Sequence, residues 1–242
     1  MAKTNIPYVD RVWNPIVGCT PASAGCANCY AAAMHNRIAA VPNQPNYRGK
    51  VFGDVRFNPA ALREPAKWRT PQTVLTCSMG DMFHESVPCD TIEQIIATMK
   101  GTPRHTFLVL TKRAINLSLY RFPDNVMVGV SIENKDNMHR LDALYDVDCF
   151  HRWISFEPLI GDVGPINLGG IDWVVVGGEN GRNKNIRECR AQWIEDIYLQ
   201  CKALCIPYFF KQYGTRFVID GVNTGSAAFH RKDMPVVDNP PF

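Results

Sequence analysis

Long apolar runs are absent from this chain: none approaches the roughly 18 residues that a membrane-spanning helix needs, so no membrane partner is expected. Residues Met1 to Asp10 lack the basic start and apolar centre of a secretory signal. There are no internal repeats and no low-complexity tract, which argues against a solenoid or a disordered linker. A strong charge of one sign is also missing. The net charge of +3 is too small to announce nucleic-acid binding by itself. Of 242 residues, 46% are hydrophobic and 20% charged, the balance of a soluble globular protein with length enough for one barrel-sized domain.

What is plentiful is cysteine. The chain has nine, an odd number, and without a secretory signal they do not suggest a disulfide scaffold. A reducing cytoplasm is the expected compartment. Three of the nine crowd into the stretch Trp13 to Ala31: Cys19, Cys26 and Cys29, on a loop punctuated by glycine and proline, with a helix expected from Asn28 to Ala40. Three neighbouring thiolates can hold a soft metal centre and leave one position open. A [4Fe–4S] cluster with one non-cysteine iron meets that description, and so does a zinc ion with an open fourth site. The other cysteines, Cys77, Cys89, Cys149, Cys189, Cys201 and Cys205, are spread out, and no second cluster is expected. Cys201 and Cys205 are four apart on a helical pattern and should share a face.

Downstream of the loop, residues 41–72 form a long connection with five prolines and several basic side chains. Apolar, β-branched segments then recur at 73–78, 106–111, 126–132, 152–156, 172–177 and 206–210. Helical patterns at 90–100, 135–145 and 191–204 separate several of them. With a first strand over 8–17, this rhythm predicts an α/β fold: a partial (β/α) TIM-like barrel of about six to seven parallel strands. The barrel should occupy residues 1–213, with 214–242 as an extension packed on it and capping an opening.

Polar residues follow every strand, and in a parallel barrel those ends converge on one face with the cysteine loop. Asp81, Glu179, Lys112 and Lys211 are the candidate catalytic residues, with Asp81 and Glu179 suited to contact ligand ammonium or hydroxyl groups. Lys112 and Lys211 are candidates to bind a carboxylate or phosphate, or to pair with Glu157 and Glu179. Ser131, Glu133, Glu157 and the Gly177-Gly178-Glu179 turn are candidate cofactor contacts, the glycines permitting close backbone approach. Basic residues near this face, Arg48 and Lys50 in the long connection and Arg182, Lys184 and Arg187 after the sixth strand, are candidate phosphate contacts. Tyr47, Phe52 and Trp68 are available beside them to stack a base.

The motifs themselves resemble a phage- and prophage-associated family of radical S-adenosylmethionine (SAM)-like proteins. The likeness rests on the W-N-P and G-C opening with G-C-x-x-C-Y-A, then Ser78 to Glu85, Leu110 to Arg113, Gly129 to Asn134, Ser155 to Leu159, Val176 to Gly181 and Phe209 to Gly214. It covers nearly the whole chain. The resemblance implies a barrel of the radical SAM type, with Cys19, Cys26 and Cys29 holding a [4Fe–4S] cluster and SAM as the second cofactor. It further implies a flavodoxin- or ferredoxin-type reductant, the cytoplasm of an infected bacterium as location, and isomerisation of an amino-acid-modified thymidine in phage DNA. A free nucleoside or a peptide is the other substrate class. Six residues separate Cys19 from Cys26 where the commonest radical SAM spacing has three, and Asn28 replaces an aromatic residue. That departure keeps a zinc-binding barrel, or a phage accessory module binding nucleic acid or protein, as alternatives.

Overall fold

Valine, isoleucine, leucine and phenylalanine dominate the segments read as strands, and they become one parallel sheet. The computed structural model describes residues 4–219 and 228–235. Along it the chain forms β1 (Arg11–Trp13), β2 (Ile16–Val17), α1 (Tyr30–Ala39), β3 (Arg56–Phe57), β4 (Thr73–Thr76) and α2 (Cys89–Lys100). It continues with β5 (Thr106–Thr111), β6 (Val126–Ser131), α3 (His139–Tyr145), β7 (His151–Leu159) and β8 (Trp173–Gly178). Last come β9 (Glu188–Arg190), α4 (Ala191–Ala203), β10 (Tyr208–Gln212) and β11 (Arg216–Val218).

Strands β1, β4, β5, β6, β7, β8 and β10 pair in that order, all parallel. Each is laid beside the one before it, and the sheet curls into a half-barrel. The seven-stranded partial barrel expected from the strand rhythm is therefore the observed architecture. No helix among the described residues is long and apolar enough to cross a membrane.

Local chemistry moves some boundaries. The first strand, expected over 8–17, is two short strands. Asn14 turns its side chain to accept from Ser78 Oγ (3.1 Å) and Met79 N (3.0 Å), and after Pro15 the chain leaves β4 to pair antiparallel with β3. The first helix starts at Tyr30 rather than Asn28, because Cys29 is extended (φ −60°, ψ 121°) and caps it. Cys201 and Cys205 do not share a helix face. The helix has ended by Ala203, Cys205 adopts a left-handed φ of 56°, and Cys201 is buried while Cys205 is exposed.

Alternate residues of each strand face opposite ways. Outward-facing Val74, Phe107, Val128, Ile154 and Val176 pack under the helices, against Ile95, Leu144 and Ile194. The concave face is graded along the strands. At its N-terminal end Leu108, Met127, Trp153, Trp173 and Phe209 fill the interior with Tyr8. The two indoles stack at 5.3 Å, and Tyr8 meets Trp173 edge-on at 5.3 Å. Towards the C-terminal end the same faces carry Leu110, Gly129, Ser155 and Val175, and then Ser131, Glu157, Gly177 and Lys211. Bulk fills one end, and smaller or polar residues line the other, where the cysteine loop sits.

The extension after 213 is used at both ends of the barrel. Thr215 donates its N–H to Glu179 O (2.9 Å) at the end where the cysteine loop sits. Residues 228–235 run back along β10, with Phe210 N donating to Arg231 O (2.7 Å) and Trp173 Nε1 to Asp233 O (2.9 Å). Met234 and Pro235 help line a cavity of about 140 Å³ at the N-terminal end, beside Thr73, Thr106 and Trp173. The part of the expected cap over 228–235 thus covers the end away from the cysteines. Residues 220–227 and 236–242 of that expected cap lie outside the described residues.

The grading has a steric consequence. A Cβ built on Gly129 would lie 2.4 Å from Trp153 Nε1, the atom that donates to Val109 O at 3.0 Å. Gly129→Ala is expected to displace the fully buried indole and destabilise the fold by about 1–3 kcal/mol. A thermal melt reads this, and an unchanged melting temperature would refute the packing account.

Candidate active site

Gly18 begins the cysteine loop. Its φ of 95° and the 2.2 Å that would separate a Cβ from Asp54 O leave room only for glycine. Past the parallel bridge of Gly18 to Gly80 the loop has no place in the barrel sheet, and its own regular structure is the short 3₁₀ turn Ala24–Cys26. Charged groups from the strand ends grip it at three points.

Near Cys19 the grip is Arg113, just past β5. Its guanidinium donates to Thr20 O (2.9 Å), Thr20 Oγ1 (3.0 Å) and Cys19 Sγ (3.4 Å). Glu85 holds it from behind at 2.9 and 3.0 Å. His84 Nε2 lies 2.8 Å from the same Thr20 hydroxyl. In the middle, Ser23 Oγ donates to Glu133 Oε1 (2.7 Å), while Gly25 packs so closely that a Cβ would lie 2.5 Å from that carboxylate. Glu133 is fully buried and also accepts from Lys112 Nζ (2.5 Å) and Arg140 Nη1 (2.8 Å). Towards Cys29, Arg187 donates to Ala24 O (2.7 Å) and pairs with Glu179, and Glu179 Oε2 accepts from Asn28 Nδ2 (2.9 Å).

These surroundings act on the thiols. Burial pushes the Cys19 thiol up to about 11; Asp81 adds to this, and Arg113 opposes it. Burial alone would raise Cys26 as well, but Lys112 and the N–H groups of Ala22 and Ser23 outweigh it and bring that thiol below the ordinary cysteine value. Ala22 N lies 3.4 Å from Cys26 Sγ. All three cysteines are free and partly exposed. Among the described residues no three His, Cys, Asp or Glu side chains are grouped so as to hold a metal ion. The donor set fits a soft metal centre in its chemistry: three free thiols stand on one loop, and Lys112 with two backbone N–H groups biases Cys26 towards thiolate. Closing on a metal requires the sulfurs to turn towards one another.

Beside the loop, Lys211 Nζ lies 3.0 Å from Glu157 Oε1 and 5.7 Å from the centre of the Tyr8 ring. Burial, then the charge of Glu157, raises the Tyr8 hydroxyl well above its usual value. The hydroxyl of Tyr30, next to Cys29, donates to Ser78 O (2.6 Å).

Several expected roles change. Asp81 is not an open ligand contact. It is buried and accepts from Phe83 N (3.0 Å), Thr111 Oγ1 (2.7 Å) and Lys112 N (3.3 Å). Lys112 pairs with Glu133 and with neither Glu157 nor Glu179, and Lys211 pairs with Glu157. Glu133 and Glu179 spend their carboxylates on the loop and its supports. The backbone O of Ser131 accepts from Arg140 (2.7 Å). The glycines have a packing reason as well: a Cβ on Gly177 would lie 2.5 Å from Glu157 Oε1, and one on Gly178 2.1 Å from Tyr213 O. Of the basic candidates, Arg48, Lys50, Arg182 and Lys184 are exposed, whereas Arg187 is committed to Glu179. Trp68 is buried against His105, and Tyr47 and Phe52 pack on His35, so these aromatics are used internally.

Asn28, Ser23 and Arg140 went unpredicted. Asn28 stands where an aromatic residue was expected, and that was the one signal available; its partner Glu179 lies 151 positions away.

The pair at Glu179 gives a pH prediction. Burial alone would raise this carboxyl, but the Arg187 side chain and backbone N–H and the Asn28 amide outweigh it and hold the pKa below the ordinary glutamate value. Its contribution to stability is complete above about pH 4.3 and is lost as pH falls towards the depressed value. Glu179→Gln is expected to flatten the acid limb of a stability-versus-pH curve in that window. Superimposable limbs for the two proteins would show that the pair carries no such linkage.

Residues 3–232 match a family described as "Protein of unknown function (DUF5131)", and the chain belongs to that family. No curated protein and no solved structure matches it.

Proposed function

We propose that this member of the DUF5131 family is a radical SAM enzyme of partial-barrel type. The observation that carries the reading is the placement of three free thiols at the C-terminal mouth of a parallel half-barrel, beside the partly exposed Glu157–Lys211 pair. Cys19, Cys26 and Cys29 would hold a [4Fe–4S] cluster. Bound there, the cluster would supply the electron that cleaves the sulfonium of SAM, so that the resulting 5′-deoxyadenosyl radical takes a hydrogen atom from the substrate.

The protein's own groups would hold and shield the reactants. Glu157 and Lys211, partly exposed on the concave face, offer an acceptor for an ammonium and a donor for a carboxylate, the two ends of an amino-acid zwitterion. Tyr8 backs the pair, and the stacked Trp153 and Trp173 close the interior beneath it against water. Glu133, Glu179 and Arg113 act indirectly, by fixing the loop. Asp81 braces Lys112 and Arg113. The resemblance to phage-associated proteins supplies the substrate class, an amino-acid-modified thymidine in phage DNA undergoing redox-neutral isomerisation, and a flavodoxin- or ferredoxin-type reductant.

Anaerobic reconstitution with iron and sulfide, followed by dithionite and SAM, tests the reading. Iron uptake and 5′-deoxyadenosine are expected by metal analysis and mass spectrometry, with the nucleoside lost in Cys26→Ala. Stoichiometric zinc, no iron and no deoxyadenosine would replace the radical reading with a zinc-binding barrel.

A further inference from the structure

No aspartate or glutamate occurs between Asp10 and Asp54, nor between Glu179 and Glu188, in a chain that has 23 of them. Both acid-free stretches carry exposed cations: Arg37, Arg48 and Lys50 in the first, Arg182 and Lys184 in the second. No ion pair or side-chain hydrogen bond engages any of these five among the described residues. In contrast, Lys112, Arg113, Arg140 and Arg187 at the same face are all bound to carboxylates. The five are therefore left with their charge unneutralised by the protein.

Both stretches are anchored to the cysteine loop, one at each end. Cys19 N donates to Phe52 O at 2.9 Å, which fixes the segment carrying Arg48 and Lys50. Asn183 Nδ2 donates to Asn28 Oδ1 at 2.7 Å, and Asn28 Nδ2 to Asn185 O at 3.3 Å, which fixes the segment carrying Arg182 and Lys184. Amides stand beside the cations: Asn43, Gln44 and Asn46 on the first segment and Asn185 on the second. Cations interleaved with amides suit phosphate oxygens and base edges. They do not suit the charge-depleted, aromatic centre of a protein interface.

We infer that residues 36–50 and 182–185 are the two arms of a nucleic-acid clamp whose phosphate contacts straddle the cysteine loop. Arg37 joins the contacts, and Arg187, committed to Glu179, leaves them. This rests on the proposed reading in one respect, that the reacting base belongs to a polynucleotide. A backbone held at both ends of the loop presents a base extruded between them to the concave face carrying Glu157 and Lys211.

The test is fluorescence anisotropy of a short labelled DNA duplex titrated with the full chain across a range of KCl concentrations. Three double variants are compared: Arg48→Gln with Lys50→Gln, Arg182→Gln with Lys184→Gln, and the control Lys100→Gln with Lys202→Gln. The control removes the same charge from exposed last-turn positions of α2 and α4. All of these side chains are exposed, and a thermal melt confirms that each variant folds. Each arm variant is expected to bind about tenfold or more weakly, and the slope of log affinity against log salt should fall by about 1.8, at about 0.9 per phosphate contact. The control is expected to bind like the wild type.

Arm variants that bind like the wild type, or a control that loses as much as they do, would overturn the clamp. A wild-type chain that ignores DNA but binds polyglutamate would overturn it too, and would reassign the surface to an acidic protein. The enzyme reading stands or falls separately. A chain that clamps DNA but makes no deoxyadenosine keeps the arms and loses the radical chemistry. One that makes deoxyadenosine but does not bind DNA keeps the chemistry and loses the arms.

Discussion

A loop with little regular structure has to be held by something other than a sheet ladder, and here charge does it. Arg113, Glu133 and the Glu179–Arg187 pair each grow from near the end of a different strand and each bond to a different part of the cysteine segment. The rest of the site follows from these three points. They set where the thiols stand, which cations surround them, and which strand-end groups remain open to a ligand.

Buried ion pairs are poor sources of stability, because desolvating both partners offsets most of their attraction. Their value is geometric. Fully buried Glu133 must keep its donors or stand as an uncompensated charge, so Ser23, Lys112 and Arg140 are fixed around it. Breaking one contact leaves a charge exposed to the low dielectric, and that penalty makes the arrangement specific. The same logic divides the polar residues at the strand ends. Asp81, Glu133 and Glu179 are spent on the protein, whereas Glu157 and Lys211 pair with each other and keep partial access to solvent.

The barrel contributes a gradient. Aromatic bulk at the N-terminal end of the concave face supports the sheet, and glycine and serine at the other end withdraw side chains where the loop arrives. Trp153 links the two, since its indole nitrogen lies against Gly129 and bonds Val109 O. Part of the C-terminal extension reinforces the packed end, and its first residues brace Glu179.

The strand rhythm, the parallel half-barrel and the convergence of strand-end polar residues with the cysteine loop were all legible in the order of residues. They follow from short-range rules: apolar β-branched runs make buried strands, and parallel strands with crossovers bring their C-terminal ends together. Which charge meets which was not legible. Glu179 and Asn28 are 151 positions apart, and Glu133 and Ser23 are 110 apart. Nothing local distinguishes a glutamate that grips a loop from one that awaits a ligand, and nothing local marks Trp68 as buried rather than available to a base. By itself the sequence determined the frame and the three thiols, because periodicity and spacing are encoded residue by residue. Only the tertiary structure decided the partners, because an ion pair depends on distance in space and on how much water the fold leaves around it.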